Sequence, residues 1–522
     1  MYNKNTRRYA GWRDREGKQH DAGYTYVNLE ALARGLGSER KAHDIFAWLS
    51  SPVAPTKGGG HKGSTDVYQL VASPRTTTQE IPINDWDGWS DPGGAVNGTR
   101  HAYGNNVQNG GAVMFISYYD VMARLRWVSA DNAFGVLRRM LTRTASDSNF
   151  LRFDSKTRKY NDFGENFGEF GTNLPFPETG IAAMPMLYGF IGAKPSVQGL
   201  EVKPDLPMDL LDATTKLVGY GSGTHQIAVQ RAEVLNSPVS ANTVTDLSLN
   251  ATVVQPFSSE QRFNEIQVYV GTYGTSYAAF VMRVQKQVGD KWKTVNGTIL
   301  EQVPDNDWRS ISFPEQNPGN YRILLSDPFA RVAWWRDSSV SDSGARIGKT
   351  AVKGRFVYRI VRGAQSPILT QTEGTSADRL DGSLGQTFIA NESFDEVRIR
   401  VGTYKSTSSG FSAVLYRDIG GKWSARARTH FRRVEDNEWV TMAFSHLPKG
   451  KYLLQIFDPV GSIAWYRSSS DELKGTDQRA YRNITPVSGD RTLEVRRGTI
   501  RIASTIGNVD VTVPAGSKIL LK

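Results

Sequence analysis

A chain of 522 residues, 39% hydrophobic, 22% charged and 11% aromatic, has length for several cores of roughly 100 to 200 residues each. With no cysteine, it excludes disulfide scaffolds, thiolate zinc sites and cysteine nucleophiles. The formal charge of +11 and the pI near 9.5 favour nucleic acid, a membrane surface or an acidic polymer as partner, although the charges are interspersed as on an ordinary solvated surface.

The N-terminal stretch MYNKNTRRYAGW lacks the apolar run of an export signal, so none is expected. The segment YVNLEALARGLGSERKAHDIFAWL places Leu29, Leu32 and Leu36, then Ala42, Ile45, Phe46 and Leu49, at helical spacing, with Gly37-Ser38 as stop and cap. That predicts a helical hairpin. A second is predicted from Val113, Ile116, Tyr119 and Ala123, followed by a helix opening near Asp131 and Asn132. Two long polar loops, 50–111 and 144–178, are rich in Asp, Trp, Asn and Gly, and loops of that length in a helical domain usually carry function. The apolar run 180–193 is shorter than the roughly 18 to 20 residues a membrane span needs.

Beyond Pro204 the pattern turns to alternation with Gly and Asn turns, which predicts strands to the C-terminus. This part repeats itself. FNEIQVYVGTY from Phe263 recurs as FDEVRIRVGTY from Phe394, a shift of 131 residues, and the same shift relates DNDW at Asp305 to DNEW at Asp436 and AWWR at Ala333 to AWYR at Ala464. A register that long predicts two tandem β-sandwiches, separate as beads, rather than a solenoid. Ile266, Val268 and Val270, like Val397, Ile399 and Val401, alternate with polar residues as a half-buried strand requires.

The stretches HDAGYTYVNLEALARGLGSERKAHDIFAWL, NNVQNGGAVMFISYYDVMARLRW and FPETGIAAMPMLYGFIGAKPSVQGLEVKPDLP resemble, in that order, the later half of six-hairpin glycosidases, relatives of disaccharide phosphorylases and α-L-rhamnosidases. The resemblance covers roughly residues 9–207. It implies a partial (α/α)6 toroid followed by β-sandwich domains, with sugar bound in the inter-helix loops. It also implies that the chain is the C-terminal portion of a longer enzyme, that the general acid comes from a loop upstream of the matching part, and that the missing N-terminal half of the barrel is a partner.

Glycoside cleavage needs a proton donor and a second carboxylate. Glu178 stands at the start of an apolar run, where a helix N-terminus favours the ionised form suited to a base or nucleophile. Glu165 and Glu169 lie in a loop with Phe163, Phe167 and Phe170, whose desolvation would raise a carboxyl pKa toward that of a proton donor. Asp21 and Asp66 are further candidates, for catalysis and for sugar hydroxyls respectively. Gln108 and Asn109 of QNGG offer amide donors and acceptors, and Trp86 and Trp89 could stack on a pyranose face. For all of these, loop capping and packing compete with the functional role.

In the repeats, adjacent aromatics of a strand face opposite ways, so one of Trp334 and Trp335 is expected to face out; Trp335 and Tyr466 are the candidate sugar-stacking residues. The second copy also carries Arg398 and Arg400 where the first has Gln267 and Tyr269. Arginines on alternate positions share one face and would favour an anionic polysaccharide.

The expected organisation is residues 1–194 as barrel portion, 195–243 as a capping β-linker, 244–365 and 366–489 as the two repeats, and 490–522 as terminal strands. The expected function is glycoside hydrolysis by paired carboxylates with appended sugar-binding modules, the alternatives being a non-catalytic carbohydrate-binding protein or a disaccharide phosphorylase. The expected partner is an oligo- or polysaccharide rather than nucleic acid or membrane, with no cofactor and no metal, and a secreted or periplasmic setting suits the full-length enzyme.

Overall fold

The computed structural model describes residues 1–50, 74–79, 81, 110, 114–146, 153–154, 159–160 and 184–522, other than 222, 237–238, 276, 342, 407, 472 and 474–476. Two compact units divide the chain, Met1–Phe190 and Ile191–Lys522.

In the first unit, helices α1 (Thr25–Ala33), α2 (Glu39–Leu49), α3 (Met114–Trp127) and α4 (Ala130–Ser146) form the two predicted hairpins. Leu29, Leu32, Ala42, Ile45, Leu49, Ile116 and Ala123 make one buried apolar cluster, the set that helical spacing selects. Leu36 is an exception and is exposed. The helix has already ended at Ala33, and Gly35 and Gly37 turn the chain at φ of 81° and 113°, values that glycine tolerates. The indole Nε1 of Trp127 donates to the Leu32 carbonyl at 2.8 Å, tying the end of α3 to the end of α1. The described helices of this unit are these hairpins and a short π-helix, Met186–Phe190, and a closed toroid is not shown by them.

The second unit is mostly β-sheet, in several layers. The Phe263–Gly271 and Phe394–Gly402 strands sit at equivalent places in two sandwiches. The first pairs with Asp307–Gln316, from Phe263 opposite Gln316 to Val270 opposite Asp307, and the second with Glu438–Leu447, from Phe394 opposite Leu447 to Val401 opposite Glu438. Even the irregularity between Phe263 and Glu265 returns between Phe394 and Glu396. Each sandwich has its own apolar core, centred on Trp334 with Phe263, Phe280 and Tyr321 in one and on Trp465 with Phe394, Phe411 and Tyr452 in the other.

Three features differ from the sequence expectation. The sandwiches are not separate beads: Lys291–Leu300 of the first pairs antiparallel with Trp423–Arg432 of the second, Thr298 opposite Phe431 and Ile299 opposite His430. This makes a continuous 12-stranded sheet among the described residues. His430 is the repeat counterpart of Ile299, so the two copies meet about a local dyad, and each covers an edge the other would expose.

The 131-residue register also breaks. Glu265 pairs with Val361, whereas its counterpart Glu396 pairs with Arg496, a separation of 135, so the second copy carries four extra residues after AWYR.

The domain boundaries move as well. Segments 195–243 and 490–522 come together: Gly223–Gln230 pairs with Leu493–Ser504, which pairs in turn with Val509–Pro514, and Ile519–Leu521 pairs with Gly199–Val202. The N-terminal end of Leu493–Ser504 also completes the second sandwich through Val495 opposite Val397, past the expected limit at 489.

Candidate functional site

The residues held in both repeats converge on one place in each sandwich, where the Phe263–Gly271 or Phe394–Gly402 strand runs into its GTY turn. In the first copy, Asp305 Oδ1 accepts the backbone N–H of Thr272 at 2.5 Å and of Tyr273 at 2.9 Å, and so clamps the turn. The next residue, Asn306, accepts the indole N–H of Trp335 at 2.9 Å. Trp308 then pairs across the strands with Tyr269, ring centroids 5.2 Å apart, and Tyr269 lies 6.2 Å from Trp335. Three of the four residues of the motif DNDW, Asp305, Asn306 and Trp308, are thereby given a place. Gly271 is required beneath this arrangement, since a Cβ there would stand 3.0 Å from Asn306 Oδ1 and 3.2 Å from the Trp335 indole nitrogen.

The outward row is Trp308, Tyr269 and Trp335, all half-buried. Trp334, one residue away, is fully buried, stacks on Phe356 at 4.4 Å and donates to the Val357 carbonyl at 3.0 Å. Burying such an indole contributes about 2 to 3 kcal/mol, so of the adjacent tryptophans one serves the core and the other is presented. The Arg359 guanidinium sits 3.8 Å above the Trp308 ring, which leaves Tyr269 and Trp335 as the open rings of the row. Tyr273, at a strained φ of 53°, projects beside the clamp. Its hydroxyl donates to Asp246, a bond that holds the phenol above and the carboxyl below their usual pKa ranges. Arg331 adds an ion pair to Asp246 at 3.0 Å and lies 3.7 Å over the Tyr273 ring.

The second copy rebuilds the same frame with changed occupants. Asp436 accepts the Thr403 N–H at 2.6 Å, Asn437 accepts the Tyr466 hydroxyl, and Trp439 stands opposite Arg400. Arg400 replaces Tyr269 and lies 4.8 Å over the Tyr466 ring.

Arg398 requires a correction. Alternation does put it on the same strand face as Arg400, but that face is closed at Arg398, which is buried and paired with Glu396 at 2.6 Å. In the first copy, Glu265 and Gln267 at the matching positions are likewise buried, beneath Arg231, which binds Glu265 at 2.9 Å. The strands are therefore buried on both faces for most of their length, with Tyr269 in the first and Asp395 and Arg400 in the second half-buried.

A cleft of about 790 Å3 is lined by Arg231, Arg362, Arg398, Arg496 and Arg501. Each holds a carboxylate, of Glu265, Glu233, Glu396, Glu494 and Asp510 respectively, so the cleft is compensated.

Asp21 Oδ1 accepts from Arg8 Nε at 2.9 Å and from the Gly23 N–H at 3.0 Å, and its Oδ2 accepts from Thr6 at 2.7 Å. Its side chain is buried and these bonds hold the entry to α1. Glu165, Glu169, Glu178, Asp66, Trp86, Trp89, Gln108 and Asn109 lie outside the described residues.

Sequence reasoning passed over Arg75, which is buried and donates to the Gly110 carbonyl at 2.8 Å, linking PRTTT to the NGG motif. The signal was available in the polar run of three threonines beside Arg75. Among the described residues, no group of three or more His, Asp or Glu side chains could hold a metal ion, and no helix is long and apolar enough to cross a membrane.

No protein-family model and no curated sequence matches the chain. Solved structures with partial overlap include a glycoside hydrolase 29 family member from a rumen bacterium, at 11% identity over 56% of this chain and TM-score 0.14. The chain spans 43% of that hydrolase's length. Tandem CBM32 domains of Clostridium perfringens ZmpB in complex with GalNAc overlap 49% of this chain and 89% of their own, at 8% identity and TM-score 0.13. The CBM22 tandem of Paenibacillus barcinonensis Xyn10C overlaps 58% and 95%, at 13% identity and TM-score 0.12. Scores this low carry no weight for function.

Proposed function

We propose that the tandem sandwiches hold polysaccharide on their GTY faces. The observation that carries this reading is the convergence of three separated motifs, GTY, DNxW and AW(W/Y)R, on one outward aromatic patch in each copy. A structural role alone would need only the buried Trp334 and Trp465. Aromatic rings with polar groups at their edges suit the apolar face and hydroxyl rim of a pyranose. Tyr269 is inclined 51° to Trp308 and 43° to Trp335, so the patch fits a single twisted chain better than the flat face of a crystalline polymer.

The first unit is read, with the six-hairpin resemblance, as a portion of a glycoside hydrolase domain whose carboxylates act on the bound polymer. The paired hairpins α1–α2 and α3–α4 support it. The test of binding is affinity electrophoresis of the chain through gels containing neutral or acidic polysaccharides, where Trp335→Ala should abolish retention on neutral glycans. The test of catalysis is release of reducing ends from the retained polymer, compared with Glu178→Gln. Retention without turnover would leave the binding reading alone standing.

A further inference from the structure

We propose that the second sandwich selects a uronate-bearing polysaccharide through Arg400, whereas the first takes neutral sugar. This inference rests on the carbohydrate reading above and specifies its substrate class. The two faces share one frame, and the decisive difference is the residue opposite the retained tryptophan: Tyr269 opposite Trp308, Arg400 opposite Trp439.

The other arginines of the sheet that carries Arg400 are engaged. Arg398 holds Glu396 at 2.6 Å, Arg467 holds Asp378 at 2.9 Å and Arg496 holds Glu494 at 3.2 Å. Arg400 differs. Among the described residues its guanidinium has no ion pair and no hydrogen bond, and it contacts the Tyr466 ring. The Tyr466 hydroxyl is itself fixed by Asn437. Glu438 feels Arg400 through space, together with Lys293 and Glu435.

Stacking occupies only the π face of a guanidinium. Its N–H edges stay available while the ring contact holds the guanidinium in place. A planar fork of that kind matches a carboxylate in bidentate fashion. With the carboxylate on Arg400, the pyranose carrying it can lie toward Trp439, so a hexuronate satisfies both groups. Charge complementarity extends beyond the pair, since residues 394–522 carry 21 Lys and Arg against 13 Asp and Glu. Screening at physiological salt limits that wider field to about 8 Å, which leaves the choice of sugar to Arg400.

The test is affinity electrophoresis of the full chain in polygalacturonate, a sulfated galactan and a neutral galactan. Arg400→Tyr installs the residue that the first sandwich carries at this place, and thermal melting confirms the fold. It should weaken retention on polygalacturonate roughly tenfold, the scale of one charge-assisted bidentate contact, and leave neutral retention intact. Arg400→Lys should fall between, because a point charge lacks the fork. Unchanged retention of Arg400→Tyr on polygalacturonate overturns the proposal, as does equal retention of the parent chain on the sulfated galactan, which would remove the carboxylate preference. If neutral retention is abolished by Trp335→Ala while polygalacturonate retention ignores Arg400, only this inference falls. If no polysaccharide is retained at all, the carbohydrate reading falls with it.

Discussion

Trp335 is positioned by its neighbour in space, Asn306, whose side-chain oxygen accepts the indole N–H at 2.9 Å. Asn306 adopts a φ of 52°, so glycine is the substitution that keeps the backbone while releasing the ring. Asn306→Gly is expected to leave the melting temperature nearly unchanged and to weaken retention on neutral glycan roughly fivefold, the value of one hydrogen bond of about 1 kcal/mol. Affinity electrophoresis beside a melting curve checks both parts; full retention would mean that the indole needs no support.

The two sandwiches differ by a paired exchange beside the core tryptophan. In the first, Arg336 donates to Thr245 at 3.0 Å and Phe356 stacks on Trp334. In the second, Asp378 takes the threonine's place and Arg491 that of the phenylalanine, the fully buried Arg491 pairing with Asp378 at 3.0 Å. Burial lowers the Arg491 pKa to about 10. Asp378→Thr alone should strand that cation and cost about 3 to 5 kcal/mol. Adding Arg491→Phe should recover most of the loss, and urea unfolding of the four members of the cycle measures the coupling.

Asp395 and His446 line the same cavity of about 30 Å3 and titrate in opposite senses. Burial and the neighbouring Glu396 push the Asp395 carboxyl up to about 7, while burial, with Lys203 and Arg497, pushes His446 down to about 4. The contribution of Asp395 is fully present below its unfolded value near 3.8 and is lost as pH rises through about 7. That of His446 is present above 6.5 and is lost as pH falls through about 4. Between about pH 4 and 6.5 the slopes oppose. Melting temperature against pH should therefore climb more steeply in Asp395→Asn than in the parent chain, and fall more steeply in His446→Gln. Parallel curves for all three would refute the assignment.

Tyr404, like Tyr273, holds a left-handed backbone, with φ of 52°, and the residue is 58% exposed. A tyrosine in that region costs on the order of 1 kcal/mol, and an exposed ring returns little of it. Tyr404→Gly is expected to be neutral or slightly stabilising in urea and to weaken acidic-glycan retention. Clear destabilisation would show that the ring serves the fold.

Much of the molecule was legible in its sequence. The spacing of Leu29, Leu32, Ala42, Ile45 and Leu49 selected the faces of the first hairpin, and the repeat located equivalent strands to the residue as far as AWYR. Alternation required one of Trp334 and Trp335 to face out, and the structure shows Trp334 as the buried one. Leu36 misled because periodicity does not mark where a helix stops, and Gly35 ends this one a turn early. The loop carboxylates were chosen on chemistry without geometry, and Asp21 shows the risk: an aspartate suited to catalysis in composition is enclosed by Arg8, Thr6 and Gly23.

Local patterning determined which residues are strands, which way each side chain points and which positions the duplication kept, because these depend on the two-residue period of an extended chain. Long-range pairing decided the rest. Only the fold brings Gly223–Gln230 to Leu493–Ser504, sets Ile299 against its own counterpart His430, and separates the fates of Arg398 and Arg400. Those arginines are two residues apart and point the same way, yet Glu494 and Glu396 claim the first while Tyr466 receives the second. Availability to a ligand is set by what the chain delivers from far along its length, and no window of local sequence contains it.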